Sequence, residues 1–173
     1  MSVISPVIVS NFLNESDFNR LVNHFKDHKG IKKGQPDQFG RISMNESSNP
    51  LLTIFSKKIL PFVRDHFNDQ TILPSYSLFA EYSDKNIYLE KHKDGGACTY
   101  TVDLVLYQKT PWGLWIDGKE YLANENDAIV FMGEDQEHWR EPISDNNDKT
   151  GLIYFHYVKP DHWWYTNPEW RNV

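Results

Sequence analysis

His92 and Asp94 stand two residues apart in Lys91-His92-Lys93-Asp94, and a second histidine, His138, follows 46 residues after His92. Two imidazoles and one carboxylate are a ligand set for a divalent metal. Grouped on one face of the ion, they hold Fe(II) and leave the opposite positions open for other ligands. The spacing has a geometric reason. Side chains alternate along a strand, so residues i and i+2 point the same way. Residues 86–92, Asn-Ile-Tyr-Leu-Glu-Lys-His, read as a strand with His92 and Asp94 on one face at its end.

An HxD triplet occurs by chance in many chains, so the surrounding elements matter. Gly95-Gly96 signals a turn directly after Asp94. Residues 99–107, Thr-Tyr-Thr-Val-Asp-Leu-Val-Leu-Tyr, are rich in β-branched and aromatic residues and read as a strand. Asn126-Asp127 leads into a further strand to Phe131, and Gly133-Glu134-Asp135 makes a short turn before His138. This order of strand, ligand pair, hairpins, strand and third ligand can fold His138 back across a small barrel. The alternative without a metal makes His92 a surface residue between two lysines and His138 a hydrogen-bonded core histidine.

In the order of these pieces the chain resembles the Fe(II)/2-oxoglutarate-dependent dioxygenase superfamily, in its small, prolyl-hydroxylase-like branch. The matching segments lie within residues 72–158: Tyr76 to Tyr82, His92-Lys93-Asp94, Tyr100 to Tyr107, Asp127 to Phe131, His138 to Pro142 and Leu152 to Tyr157. The resemblance implies a double-stranded β-helix (jelly roll) with Fe(II) on His92, Asp94 and His138 and with 2-oxoglutarate as cosubstrate. Ascorbate is a further expected accessory. The implied reaction is hydroxylation of an amino acid, peptide residue or small metabolite, coupled to decarboxylation of 2-oxoglutarate to succinate. Halogenating relatives carry Gly or Ala where Asp94 stands, so the carboxylate argues against halogenation.

The far carboxylate of 2-oxoglutarate needs a cation inside the barrel. Arg140, two residues after His138, would share its inward face on a strand and can grip a carboxylate with two parallel hydrogen bonds. Lys149, eleven residues after His138, is the rival, because many prolyl hydroxylases place this cation at the start of the last core strand. Tyr82 and Tyr100 are candidate hydroxyl partners of the same carboxylate. Two other readings stay open: a cupin-like isomerase or O2-only dioxygenase, which would commonly use three or four histidines, and a metal-free binding module on the same barrel.

Composition bounds the rest. At 173 residues the chain suits one domain: helical support and a loop over 1–70, the jelly-roll core over 71–158, and a tail over 159–173. A net charge of −6 gives no broad basic footprint for nucleic acid. No apolar run reaches the roughly 20 residues needed to span a membrane, and Met1-Ser-Val-Ile-Ser-Pro lacks the pattern of a signal peptide. One cysteine, Cys98, excludes an internal disulfide. Together these lead to the expectation of a cytoplasmic protein in a reducing compartment.

Fold class follows from the order of elements. Ser16-Asp17 can cap a helix running to about His28, with Phe18, Leu21, Val22 and Phe25 on one stripe. Pro50 suits the first turn of a second helix to about Phe67. Residues 29–48 are polar and Gly-rich and read as a long loop, mobile until substrate binds. Strands dominate from Ile72 onward. The expected class is α+β, mainly β, with two N-terminal helices bracing the barrel. Glu134, Asp135 and Glu137 would favour a cationic substrate if they rimmed the mouth of the barrel. Trp163-Trp164 is a candidate cap on that mouth, or a cover for the core.

Overall fold

The structure, a computed structural model, describes residues 4–26, 28, 36–37, 40–83, 87–143, 149–167 and 169. The elements follow in the order β1 (Val7–Val9), α1 (Glu15–Phe25), β2 (Arg41–Asn45), α2 (Pro50–His66), β3 (Leu73–Tyr82), β4 (Leu89–His92) and β5 (Tyr100–Tyr107). After these come β6 (Leu114–Ile116), β7 (Lys119–Tyr121), β8 (Ala128–Phe131), β9 (His138–Arg140), β10 (Thr150–Val158) and α3 (Trp163–Thr166).

Two antiparallel sheets result. The large one has the order β1-β8-β5-β10-β3-β2 and the small one β4-β9-β6-β7. Helices α1 and α2 cover one face of the large sheet, against β5 and β3. Leu21, Phe25, Leu52 and Phe55 meet Phe79, Leu104 and Phe155 there. The other face packs on the small sheet around a second core that includes Val105, Leu114, Ile116, Phe131 and Leu152. Strand β5 is therefore covered on both sides, and all eight of its residues are buried. That is why it reads as a nearly continuous apolar run rather than an alternating one. The expected class, α+β and mainly β with two bracing helices, is the architecture observed.

Several boundaries differ from the sequence reading. Helix α1 begins at Glu15 because the Asn14 side chain accepts from the Asp17 amide at 3.0 Å, so Asn14 and not Ser16 is the cap. Helix α2 starts at Pro50 as expected, capped by Asn49. The expected loop over 29–48 is corrected in part. Residues 41–45 form edge strand β2 on β3, with Arg41 opposite Tyr82, while residues 29–35, 38 and 39 lie outside the described residues. The β6–β7 hairpin was not anticipated. Its turn, Asp117-Gly118, has positive φ at both positions (49° and 82°), which is the backbone that tight two-residue hairpins demand.

Candidate active site

The two sheets enclose a pocket of about 460 Å³, within the range of small-molecule sites. His92 ends β4 and His138 begins β9, and the register pairs them directly across the small sheet. Their ring centroids are 4.3 Å apart. Asp94 follows in the turn after β4, where its amide donates to the Gly133 carbonyl at 2.9 Å. Asp94 Oδ1 then lies 3.5 Å from His92 Nε2 and 3.6 Å from His138 Nε2. Gly133 makes room for this. A Cβ there would stand 2.2 Å from Asp94 Oδ2 and 2.8 Å from the Cys98 carbonyl oxygen.

The outer nitrogens of both rings are already committed. His92 Nδ1 donates to the Glu90 carbonyl at 2.7 Å and His138 Nδ1 to the Gln136 carbonyl at 2.9 Å. With Nδ1 carrying the proton, the lone pair of each neutral ring sits on Nε2 and faces Asp94. Three electron-pair donors converge on one point, an arrangement that calls for a cation. The Nδ1–carbonyl bonds are the kind that fix the tautomer of metal-ligating histidines. Burial would raise the Asp94 carboxyl, but His138 and His92 beside it outweigh this and hold it well below the usual carboxylate range. The three residues therefore fit a divalent metal. Side-chain exposure of 35% for His92 and 5% for His138 sets the open side of the site at β4.

The inner end of the pocket is built differently. Arg140 on β9 reaches Asp103 on β5, joining the small sheet to the large one at 2.5 Å, with both side chains 2% exposed. It also donates to the Trp112 carbonyl and lies 5.0 Å over the Trp112 ring. Arg140 Nε and Asp103 Oδ1 are buried with no hydrogen-bond partner among the described residues. Burial pushes the Asp103 carboxyl up, with Arg140 pulling against it. Beside the pair, the hydroxyls of Tyr82 and Tyr154 are 3.1 Å apart. Burial raises Tyr154 well above the ordinary phenol value, so it stays a neutral hydrogen-bonding group.

Of the residues singled out from sequence, His92, Asp94, His138, Arg140 and Tyr82 line this one pocket. Lys149 and Tyr100 do not. Lys149 meets Glu81 at 3.1 Å in a separate cleft beside Tyr107, and Tyr100 packs against Phe67 in the helix-side core. Nor do Glu134, Asp135 or Glu137 line the pocket. Glu134 accepts from the Cys98 amide and the Thr99 hydroxyl, and Glu137 pairs with Lys91. Cys98 is buried with Sγ 3.0 Å from the Tyr76 hydroxyl. Burial, helped by nearby Asp94, pushes its thiol up to about 12, which disfavours the thiolate a metal would need. Trp163 packs over Gly96, and Trp164 lies against Tyr76.

Sequence reasoning missed Arg41, Asp103 and Tyr154. Asp103 left a signal, since a lone carboxylate inside an apolar strand needs a buried partner. Arg41 left none, because its strand is a polar edge addition.

Comparison with known proteins bears on the fold. No family model matches the sequence. No curated protein sequence matches it significantly. Solved structures do match, and the fold is the double-stranded β-helix of 2-oxoglutarate-dependent Fe(II) oxygenases. HygX from Streptomyces hygroscopicus, with nickel, 2-oxoglutarate and hygromycin B bound, superposes with a TM-score of 0.70 at 10% identity, over 90% of this chain and 83% of that one. A prolyl-4-hydroxylase from Pseudomonas putida gives 0.64 at 14% identity, over 89% and 92%. A prolyl hydroxylase from Trichoplax adhaerens, in complex with a hypoxia inducible factor peptide fragment, gives 0.63 at 12% identity, over 88% and 83%. Among the described residues no helix is long and apolar enough to cross a membrane.

Proposed function

We propose that this protein is an Fe(II)- and 2-oxoglutarate-dependent oxygenase, in the simplest case a hydroxylase. The observation that carries the reading is the convergence of His92 Nε2, His138 Nε2 and Asp94 Oδ1 within one pocket, on a fold shared with proteins that bind nickel or iron and 2-oxoglutarate. His92, Asp94 and His138 would hold the metal. Bound Fe(II) and 2-oxoglutarate together supply O2 activation, coupled to decarboxylation of the keto acid to succinate and CO2.

The chain's own residues do the rest. Glu90 and Gln136 carbonyls keep both imidazoles turned toward the metal position. Arg140, with the Tyr82 and Tyr154 hydroxyls beside it, grips the far carboxylate of 2-oxoglutarate at the dry inner end. Lys149, paired with Glu81 outside the pocket, does not compete for that role. Leu78, Leu89, Leu114 and Phe131 line the cavity with apolar surface, which limits the water near the reacting atoms. The substrate enters from the more exposed His92 side. It is an amino acid, a peptide residue or a small metabolite; of the neighbours above, one holds hygromycin B and one a peptide fragment. A reducing, cytoplasmic setting suits both Fe(II) and the free Cys98.

The test is metal- and 2-oxoglutarate-dependent succinate release by the purified protein, screened over amino acids, proline peptides and small metabolites with Fe(II) and ascorbate. Succinate that forms only when both Fe(II) and 2-oxoglutarate are present supports the reading. Metal titration with no binding at His92, Asp94 and His138 would sink it in favour of a metal-free binding module. Turnover of a substrate with O2 but without 2-oxoglutarate would move the protein to the O2-only class.

A further inference from the structure

We propose that Arg41, on the edge strand β2, recognises a carboxylate of the oxidised substrate, and that this substrate is therefore a small organic acid. The inference rests on the oxygenase reading above and names the substrate class that reading leaves open.

Arg41 lies in register with Tyr82 and lines the same pocket as the metal ligands and Arg140. The two arginines are not equivalent. Arg140 is 2% exposed and carries its counter-ion, Asp103, inside the pocket. Arg41 is 22% exposed, and Asp37 holds it from outside the pocket lining, Nε to Oδ2 at 2.8 Å and backbone amide to Oδ1 at 3.2 Å. Asp37 is itself one-third exposed. A guanidinium has five N–H donors in a planar fork, and a carboxylate gripping one edge fixes its plane.

Arg41 shares the pocket lining with Tyr76 and His156 as well as with the metal ligands and the Tyr82–Tyr154 pair. A cosubstrate seated deep, with one end at the metal and the other at Arg140, leaves Arg41 facing the volume that a later-arriving molecule enters. The rival cation in the lining, Lys91, is directed away: it pairs with Glu137 at 3.1 Å and sits 4.4 Å over the Trp139 ring. With Glu134, Asp135 and Glu137 outside the lining, nothing in their placement favours an amine. An anionic group set bidentately on a half-buried guanidinium is the complementary ligand.

The experiment uses the whole protein loaded with Mn(II), kept free of oxygen so that binding is read without turnover. Titration calorimetry first gives the affinity for 2-oxoglutarate. L-Amino acids and 2-hydroxy acids are then titrated onto the 2-oxoglutarate complex, each beside its primary amide. The expected result is that at least one acid binds about tenfold or more tighter than its amide, the range of one charged hydrogen bond. In Arg41→Gln that preference disappears, and in Arg41→Lys part of it remains because the charge is kept and the fork is lost. Wild-type protein that binds no acid more tightly than its amide overturns the proposal, and this comparison needs no variant. It is also overturned if Arg41→Gln weakens 2-oxoglutarate itself tenfold or more, since Arg41 would then serve the cosubstrate. Wild-type protein that does not bind 2-oxoglutarate at all points instead to failure of the oxygenase reading.

Discussion

The two ends of the pocket solve opposite electrostatic problems. At the outer end, two imidazoles and a carboxylate face one another with their outer nitrogens tied to backbone carbonyls, so the charge balance there is completed from outside the protein. At the inner end, Arg140 and Asp103 complete each other across the two sheets. The outer end thus presents converging donors that a cation would complete, whereas the inner end is part of what holds the sheets together. Loss of a side chain should therefore cost chemistry alone at the outer end, and stability as well as cosubstrate affinity at the inner end.

The sharpest test removes the anion of the outer end. Asp94→Ala deletes the carboxylate of the triad and should abolish succinate release even with saturating Fe(II), with the metal lost on gel filtration. Its unfolding midpoint should stay close to that of the wild type. Near-normal turnover would show that Asp94 is not a ligand and would erase the contrast between the ends.

At the inner end the order reverses. Arg140→Ala or Asp103→Ala strands one buried charge, and breaking such a pair typically costs about 3–5 kcal/mol, read as a drop in urea midpoint. Replacing both, Arg140→Met with Asp103→Leu, should recover most of that stability, since apolar replacement of a buried pair is often neutral. The double variant should still bind 2-oxoglutarate roughly a hundredfold more weakly. Metal binding survives in all three. Lys149→Ala, by contrast, should leave 2-oxoglutarate affinity unchanged. A severe Lys149→Ala with a mild Arg140→Ala would transfer the cosubstrate's grip away from β9.

A smaller effect comes from His156, between the ends. Burial lowers its pKa from the ordinary 6.5 to about 4. The folded protein thus takes up this proton less readily than the unfolded chain. The stability it contributes is full above about pH 6.5, falls as the pH drops toward 4, and is level below that. At 1.36 kcal/mol per unit, the total is about 3 kcal/mol. Unfolding midpoints between pH 7 and 4.5 should therefore fall less steeply in His156→Gln than in the wild type. The smallest change is Tyr154→Phe, which removes one neutral hydroxyl and should weaken 2-oxoglutarate by about tenfold or less.

What the sequence disclosed follows the same division. The outer end was legible because His92 and Asp94 lie on one short stretch, at a strand end and in the turn that follows it, and because His138 comes shortly after a recognisable strand and turn. The inner end joins β9 to β5, and no local pattern states that Arg140 and Asp103 meet, although the isolated charge in β5 was a clue. Lys149 drew attention by its position along the chain, yet a strand start at the sheet margin put it in another cleft. Arg41 was hidden for a different reason. Short edge strands gain their structure from the neighbour they pair with, here β3, and a polar, Gly-rich stretch carries little periodicity of its own.

Gly133 has a consequence for engineering. A methyl group there would collide with an Asp94 oxygen on one side and the Cys98 backbone on another, and backbone cannot swing aside as a long side chain can. Gly133→Ala is thus a one-carbon inactivation that leaves all three ligands encoded. It offers a control protein whose sequence still carries the triad but whose anionic ligand is pushed off station. In natural variants, a side chain at this position would mark a barrel that had given up its metal while an inspection of ligand residues alone still counted it as intact.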